Sequence, residues 1–165
     1  MKAGVAIGSD LGDRLEHLKQ SRDFLRTLSD DGWLLAAPVY ETPPVDCPPG
    51  TPAFLNTVVE IESSLSPDEL MRRLLQFEES HGRPNVHGRN TPRTVDLDVL
   101  YFGDLVMKDG IVTLPHPRLH ERRFVLQPLA DIRPELVVPG LGRTVRQLLA
   151  SLGDAQPVRL FAKDW

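Results

Sequence analysis

Thr94-Val95-Asp96-Leu97-Asp98-Val99-Leu100-Tyr101-Phe102 is the stretch on which the reading of the fold turns. Its β-branched and aromatic content and its alternation predict a strand. Val95, Leu97 and Val99 then point one way, into a core. Asp96 and Asp98 share the opposite face, roughly 6–7 Å apart along the backbone. Working back from this strand, Ser66-Pro67-Asp68-Glu69 opens a helix, with Ser66 as N-cap and Pro67 at the first helical position. That helix runs through Leu70, Leu74, Leu75 and Phe77 and stops near Gly82. Before it, Phe54 to Ile61 reads as a strand, and Trp33 to Tyr40 as another. Leu11, Leu15, Leu18, Leu25 and Leu28 recur at helical spacing, and Asp10 is the expected cap of that helix. Ala3 to Ile7 is the first strand. The order strand–helix–strand–strand–helix–strand predicts a ferredoxin-like α+β unit.

Downstream of Phe102, Leu105-Val106-Met107 and Ile111-Val112-Thr113 flank Lys108-Asp109-Gly110, the pattern of a hairpin. Short helices are expected near Leu119 to Leu126 and Val145 to Leu152. The 165 residues suit one domain, 1–165. Hydrophobic residues make up 41% and charged residues 25%, an ordinary globular balance. A net charge of −4 argues against a general duplex-DNA binder. No apolar run reaches the roughly 18 residues of a membrane span. Gly8-Ser9-Asp10 breaks the first apolar run too early for a signal peptide. Cys47 is the only cysteine, so an internal disulfide and a Cys-based zinc site are excluded, and a cytoplasmic location is expected.

The cations are mostly arginine, fifteen against four lysines. Arginine suits bidentate contacts to phosphate or carboxylate. Between His81 and Arg93 lie Arg83, Arg89 and Arg93 with no acid, in a segment broken by Pro84, Gly88 and Pro92. Arg118, Arg122 and Arg123 form a second basic run with His120 and one acid, Glu121. Six prolines between Pro38 and Pro52 make that stretch a stiff irregular loop.

From spacing alone Asp96 and Asp98 have two readings. One is a solvated strand face, or a pair bonded to the nearby arginines. The other is a hard-cation site that uses oxygen ligands and shares polyphosphate charge with those arginines. Gly8-Ser9-Asp10-Leu11-Gly12 lacks the lysine of a phosphate loop and reads as a turn. His116, set between Pro115 and Pro117, is either a surface residue or a phosphate donor. Asn56, in an apolar strand, either bonds a neighbouring loop or reads the edge of a heterocycle. A metal-dependent nuclease would add Glu78 as a third carboxylate but lacks a basic track; a non-catalytic ligand-binding protein is a further alternative.

Thr91-Pro92-Arg93-Thr94-Val95-Asp96-Leu97-Asp98 resembles the signature of the 6-hydroxymethyl-7,8-dihydropterin pyrophosphokinase family of folate biosynthesis. So do Gly8-Ser9, Leu11-Gly12, Tyr40-Glu41-Thr42-Pro43-Pro44, Phe54-Leu55-Asn56, Glu78 with Gly82-Arg83, and the run from Leu114 to Leu126 followed by Pro128-Leu129. The blocks stand in family order over nearly the whole chain. The resemblance implies the ferredoxin-like fold and transfer of pyrophosphate from ATP to the pterin hydroxymethyl group, with release of AMP. It implies Asp96 and Asp98 as ligands of two Mg²⁺ ions, and Arg83 and Arg93 as arginines that close on the phosphates. His116 and Arg122 would contact ATP phosphates, and Thr113 and Val99 would sit beside the nucleoside. The pterin would lie between Phe54 and Phe124 and near Asp96. Asn56 and the segment Thr42, Pro43, Pro44 and Val45 would read its edge. The partners implied are these two small molecules, with no nucleic acid or membrane, acting on a monomer. Asp10 stands where the family usually has Asn, and Thr91 where it has Gly or Ala. Asn85 and Asn90 stand nearest to positions where some members carry basic and Trp residues. These departures bear on loop closure and ATP affinity.

Overall fold

The computed structural model describes residues 1–43, 49–50, 52–81, 95–154 and 156–165. Pro44, Val45, Arg83, Arg93 and the departures at Asn85, Asn90 and Thr91 lie outside the described residues.

Strand β1 (Lys2–Ser9) lies between β5 (Asp96–Phe102) and β4 (Phe54–Glu62) and is antiparallel to both. Beyond β4 come β3 (Val39–Thr42) and, at the edge, β6 (Arg159–Ala162), while β2 (Leu34–Ala36) pairs with the distal part of β4. Helix α1 (Arg14–Leu28) connects β1 to β2, and α2 (Pro67–Ser80) connects β4 to β5. With β2 and β3 taken as one interrupted strand, this is the expected ferredoxin-like order.

Each face of the sheet carries its own core. On one face Ala3, Val5, Ile7, Leu55, Val59, Ile61, Leu97 and Val99 pack with Leu18 and Leu25 of α1 and Leu70 and Leu74 of α2. On the other, Val58, Leu100 and Tyr101 pack with α3 (Arg123–Ile132) and α4 (Val145–Ala150) through Val125, Leu126, Leu129, Val145 and Leu148. The β1–β5 register shifts between Gly4 and Val5: Val5 faces Val99 and Gly4 faces Tyr101, so Leu100 is the extra residue. The bulge turns both Leu100 and Tyr101 toward α3. Gly4 makes room for the ring, since a Cβ there would come within 2.3 Å of Tyr101.

Several sequence expectations need correction. Helix α1 starts at Arg14 and not Leu11, and its cap is Asp13, whose carboxylate accepts from the Glu16 amide at 3.2 Å; Asp10 is buried, at 1% exposure. The strand expected over Trp33 to Tyr40 is two strands, broken at Ala37-Pro38. Pro38 has no amide to give the ladder, and Thr57 Oγ1 donates instead to the Ala37 and Pro38 carbonyls, at 3.0 and 2.9 Å. The expected hairpin reduces to one bridge, Met107 with Leu114. Val106 and Ile111 are exposed, whereas Leu105, Met107, Val112 and Leu114 pack on the α1–α2 core, so the segment is held by the core and not by a longer ladder. The helix expected to end at Leu126 continues to Ile132 despite Pro128 in its interior. Strand β6 has no counterpart among the sequence expectations, because its exposed Leu160 and Phe161 give no alternation.

Candidate active site

The β-ladder places Gly8 opposite Asn56 on one side and opposite Asp96 on the other. Ala6 in the same way stands between Val58 and Asp98. Because Val58 belongs to the α3 core, Asn56 and both aspartates share the α3 face of the sheet. Asn56 and Asp96 are thus two strand spacings apart, roughly 10 Å. The glycine between them forms a floor without a side chain. A Cβ at Gly8 would lie 3.2 Å from Asn56 Oδ1. Gly8 reads as part of a turn from local sequence; its place in β1 depends on strand pairing, which no local pattern reveals.

On the Asn56 side, Thr42 pairs with Phe54 across β3 and β4 and faces the same way. Asn56 Nδ2 donates to Thr42 Oγ1 at 2.9 Å, and both side chains are buried. Phe54 is half-buried and Pro43 is exposed. The expected pterin-edge residue is therefore fixed by a hydrogen bond to another expected member of the same site.

On the aspartate side, Asp96 and Asp98 are half-buried. The His116 amide donates to Leu100 O at 2.8 Å, which ties the proline-flanked segment to β5. His116 Nδ1 accepts from the Arg118 amide at 3.1 Å, so in the neutral ring Nε2 carries the proton. Burial, with the Arg122 charge beside it, pushes the imidazole down to about 4, and Asp96 opposes that shift only in part. The ring is therefore a neutral N–H donor. Arg122 precedes α3 and lies 5.6 Å over the Phe124 ring. Burial lowers its pKa and the fields of Asp98 and Asp96 raise it, which brings Arg122, His116 and the aspartates within one electrostatic site.

Two expected residues stand apart. The Val99 side chain is 2% exposed and lies in the opposite core, leaving only its backbone toward this face. Thr113 is exposed, on the loop after the Met107 bridge.

Among the described residues no group of three or more His, Cys, Asp or Glu side chains forms a metal cage. Mg²⁺ needs none: it keeps several waters and is commonly held by one or two carboxylates plus substrate phosphates. The half-buried pair on one strand face fits that requirement. Carboxylates suited to a hard cation, with fixed N–H donors beside them, belong to phosphoryl-transfer chemistry, and this places the protein among the phosphotransferases.

Comparison with known proteins narrows the class. Residues 4–134 match the model of the 7,8-dihydro-6-hydroxymethylpterin-pyrophosphokinase family. The 2-amino-4-hydroxy-6-hydroxymethyldihydropteridine pyrophosphokinase of Haemophilus influenzae is 31% identical over 158 residues, 96% of this chain and 97% of that protein. The folic acid synthesis protein fol1 of Schizosaccharomyces pombe is 34% identical over 160 residues, covering 97% of this chain but only 21% of fol1. A crystal structure of a Plasmodium falciparum HPPK-DHPS triple mutant with pteroate superposes with a TM-score of 0.70. It covers 91% of this chain and 43% of that one, at 13% identity, and so supports the fold. The chain belongs to the pyrophosphokinase family, the ATP-dependent enzymes that transfer pyrophosphate to hydroxymethyldihydropterin in folate biosynthesis and that use Mg²⁺ with ATP. The fungal and Plasmodium proteins are longer, and this chain spans 21% and 43% of them.

Proposed function

We propose that this chain transfers pyrophosphate from ATP to the hydroxymethyl group of 6-hydroxymethyl-7,8-dihydropterin on the α3 face of its sheet. The observation that carries this reading is the row Asp96–Gly8–Asn56. It sets a carboxylate pair for the phosphate end and a fixed amide for the heterocycle end on one floor. The hydroxymethyl oxygen attacks the β-phosphorus, the bond to the α-phosphate oxygen breaks, and AMP leaves. Asp96 and Asp98 would hold two Mg²⁺ ions, which when bound would neutralise phosphate charge and lower the pKa of a hydroxyl in contact with them.

His116 Nε2–H and the Arg122 guanidinium donate to phosphate oxygens as charge shifts toward the leaving group. Arg83 and Arg93 are assigned to the same phosphates by the resemblance alone. Thr113 and the Val99 backbone border the nucleoside. Phe54 and Phe124 sandwich the pterin, whose edge is read by Asn56 and by Thr42, Pro43 and the segment through Pro44 and Val45. We read residues 1–165 as one catalytic domain, acting as a monomer in the cytoplasm. No helix among the described residues is long and apolar enough to cross a membrane.

Incubation with ATP, Mg²⁺ and hydroxymethyl-dihydropterin tests the reading. AMP should form only when the pterin is present. Pterin binding without AMP formation would mean a binding protein, and ADP as product would mean a different transfer.

A further inference from the structure

Arg14 is the first residue of α1, where a cation opposes the helix dipole. Its partners lie elsewhere in the fold. One nitrogen, Nη1, donates to Glu41 Oε2 at 2.9 Å and to the Ala53 carbonyl at 2.7 Å. The guanidinium also lies 5.6 Å over the Phe161 ring of β6. Glu41 is the penultimate residue of β3, and Ala53 immediately precedes β4. Arg14 therefore crosses the open end of the β3–β4 ladder, beside the terminal pair Thr42 and Phe54.

The bridge lies on the face opposite the candidate pterin site. Glu41 alternates with Tyr40 and Thr42, which face α3, and so points toward α1. Arg159 of β6 also pairs with Glu41, so the carboxylate is held from two sides and its pKa is lowered by both guanidiniums, Arg14 first. Glu41 and Arg14 are substantially shielded, at 14% and 24% side-chain exposure, where an ion pair is screened less than at the surface. A cavity of about 280 Å³ lined by Glu41, Thr42, Pro43, Ala53 and Arg159 adjoins the bridge, so packing alone does not fix the strand ends there.

We propose that Arg14 is a positioning residue for the pterin site: by tying Glu41 to the Ala53 carbonyl it sets the spacing of the β3 and β4 ends, and with it the Thr42–Asn56 hydrogen bond on the other face. The inference rests on the proposed pterin site, and the distinction between Arg14 and Arg159 makes it specific. Both neutralise Glu41, but only Arg14 is bonded to Ala53 as well. A purely electrostatic role would make the two interchangeable. A brace makes Arg14 dominant.

The test is calorimetric titration of the wild type, Arg14→Ala, Arg14→Lys and Arg159→Ala with hydroxymethyl-dihydropterin and, separately, with Mg²⁺-ATP. Arg14→Ala should raise the pterin dissociation constant about tenfold, the scale of a lost charged hydrogen bond. ATP affinity and turnover at saturating substrate should stay within about twofold of wild type. Arg14→Lys should recover most of the affinity, since an ammonium can donate to both oxygens, and Arg159→Ala should cost only about twofold. Equal pterin losses in Arg14→Ala and Arg159→Ala, equal losses for both ligands, or no loss would overturn the brace. If Arg14→Ala does not fold, Arg14→Met, which keeps the aliphatic stem without the donor, is held to the same criterion, with a pterin-selective loss larger than that of Arg159→Ala. Wild-type protein that binds no pterin would overturn the functional reading and the brace together. Wild-type binding with an unaffected Arg14→Ala overturns the brace alone.

Discussion

Asn56 and Asp96 face the same glycine from opposite sides: each is the ladder partner of Gly8, on β4 and on β5. The arrangement gives the floor of the site its width. The backbone at Gly8 needs no positive φ, so only space demands glycine there. Gly8→Val should therefore fold with a modest change in thermal midpoint. It should lose pterin binding by at least tenfold, because the added side chain crowds Asn56 Oδ1. Paired melting and titration check this; unchanged pterin affinity would remove Gly8 from the site.

Removing one carboxylate separates chemistry from stability. Asp98→Ala and Asp96→Ala should each lower turnover at saturating Mg²⁺ by at least a hundredfold, the scale of losing a group that organises transition-state charge. The midpoint without ligands should shift far less than turnover does, because relief of the repulsion between two carboxylates on one strand face offsets the lost attraction to Arg122. Omitting Mg²⁺ from wild type should produce the same loss. Full turnover by both variants would rule out the metal assignment.

His116 gives a pH dependence whose sign follows from its burial. Its folded value, about 4, is below the usual 6.5, so the unfolded chain takes up the proton first as pH falls. Stability is then lost progressively from about pH 6.5 downward and the loss levels off below about pH 4. His116→Gln lacks this penalty. Between pH 7 and pH 5 the stability difference should move in favour of the variant by about 1 kcal/mol, discounted for partial exposure of the ring. Denaturant titrations at the two pH values measure it.

At the other end of the same face, Glu60 is 2% exposed at its side chain and is held by Arg133 at 2.7 Å and by the Tyr101 hydroxyl. Burial and the Glu60 charge both push the tyrosine pKa up, keeping its proton on the phenol. Arg133→Ala strands a buried carboxylate and should cost about 3 kcal/mol. Adding Glu60→Gln to that variant should recover part of the loss, whereas independent sites would give additive losses.

The sequence carries the order of elements because the periodicities of α1, α2, β4 and β5 are strong and local. It carries the aspartate pair because alternation fixes which face Asp96 and Asp98 share. It does not carry Gly8 as a floor, Glu60 as the partner of Arg133, or Arg14 as a bridge between strand ends. Each of these depends on register between segments far apart in the chain. By composition Asp10 and Asp13 are equally able to cap, and only Asp13 stands three residues before the amide it accepts from, the spacing a cap requires. The hairpin expected around Lys108-Asp109-Gly110 shows the complementary point: turn chemistry is legible locally, but Val112 and Leu114 are held by the core and only the Met107–Leu114 bridge forms.

The hydrogen bond from Asn56 to Thr42 leads to the last prediction, which separates reading a ligand from supporting the fold. Thr42 Oγ1 takes one amide proton of Asn56 and so fixes which way the amide points. Asn56→Ala removes the amide entirely. The pterin groups it faced would be left without partners in a dry pocket, at roughly 1–3 kcal/mol per group. Thr42→Val keeps the shape but removes the acceptor, so the amide stays in place without its orienting bond. The pterin dissociation constant should therefore rise most in Asn56→Ala and by a smaller factor in Thr42→Val. ATP affinity should change little in either, because His116 and Arg122 lie on the aspartate side of the floor. Titration of each ligand against each variant, beside thermal melts, decides the matter. If Thr42→Val melts much earlier yet binds pterin as the wild type does, the bond is structural and the amide does not read the heterocycle.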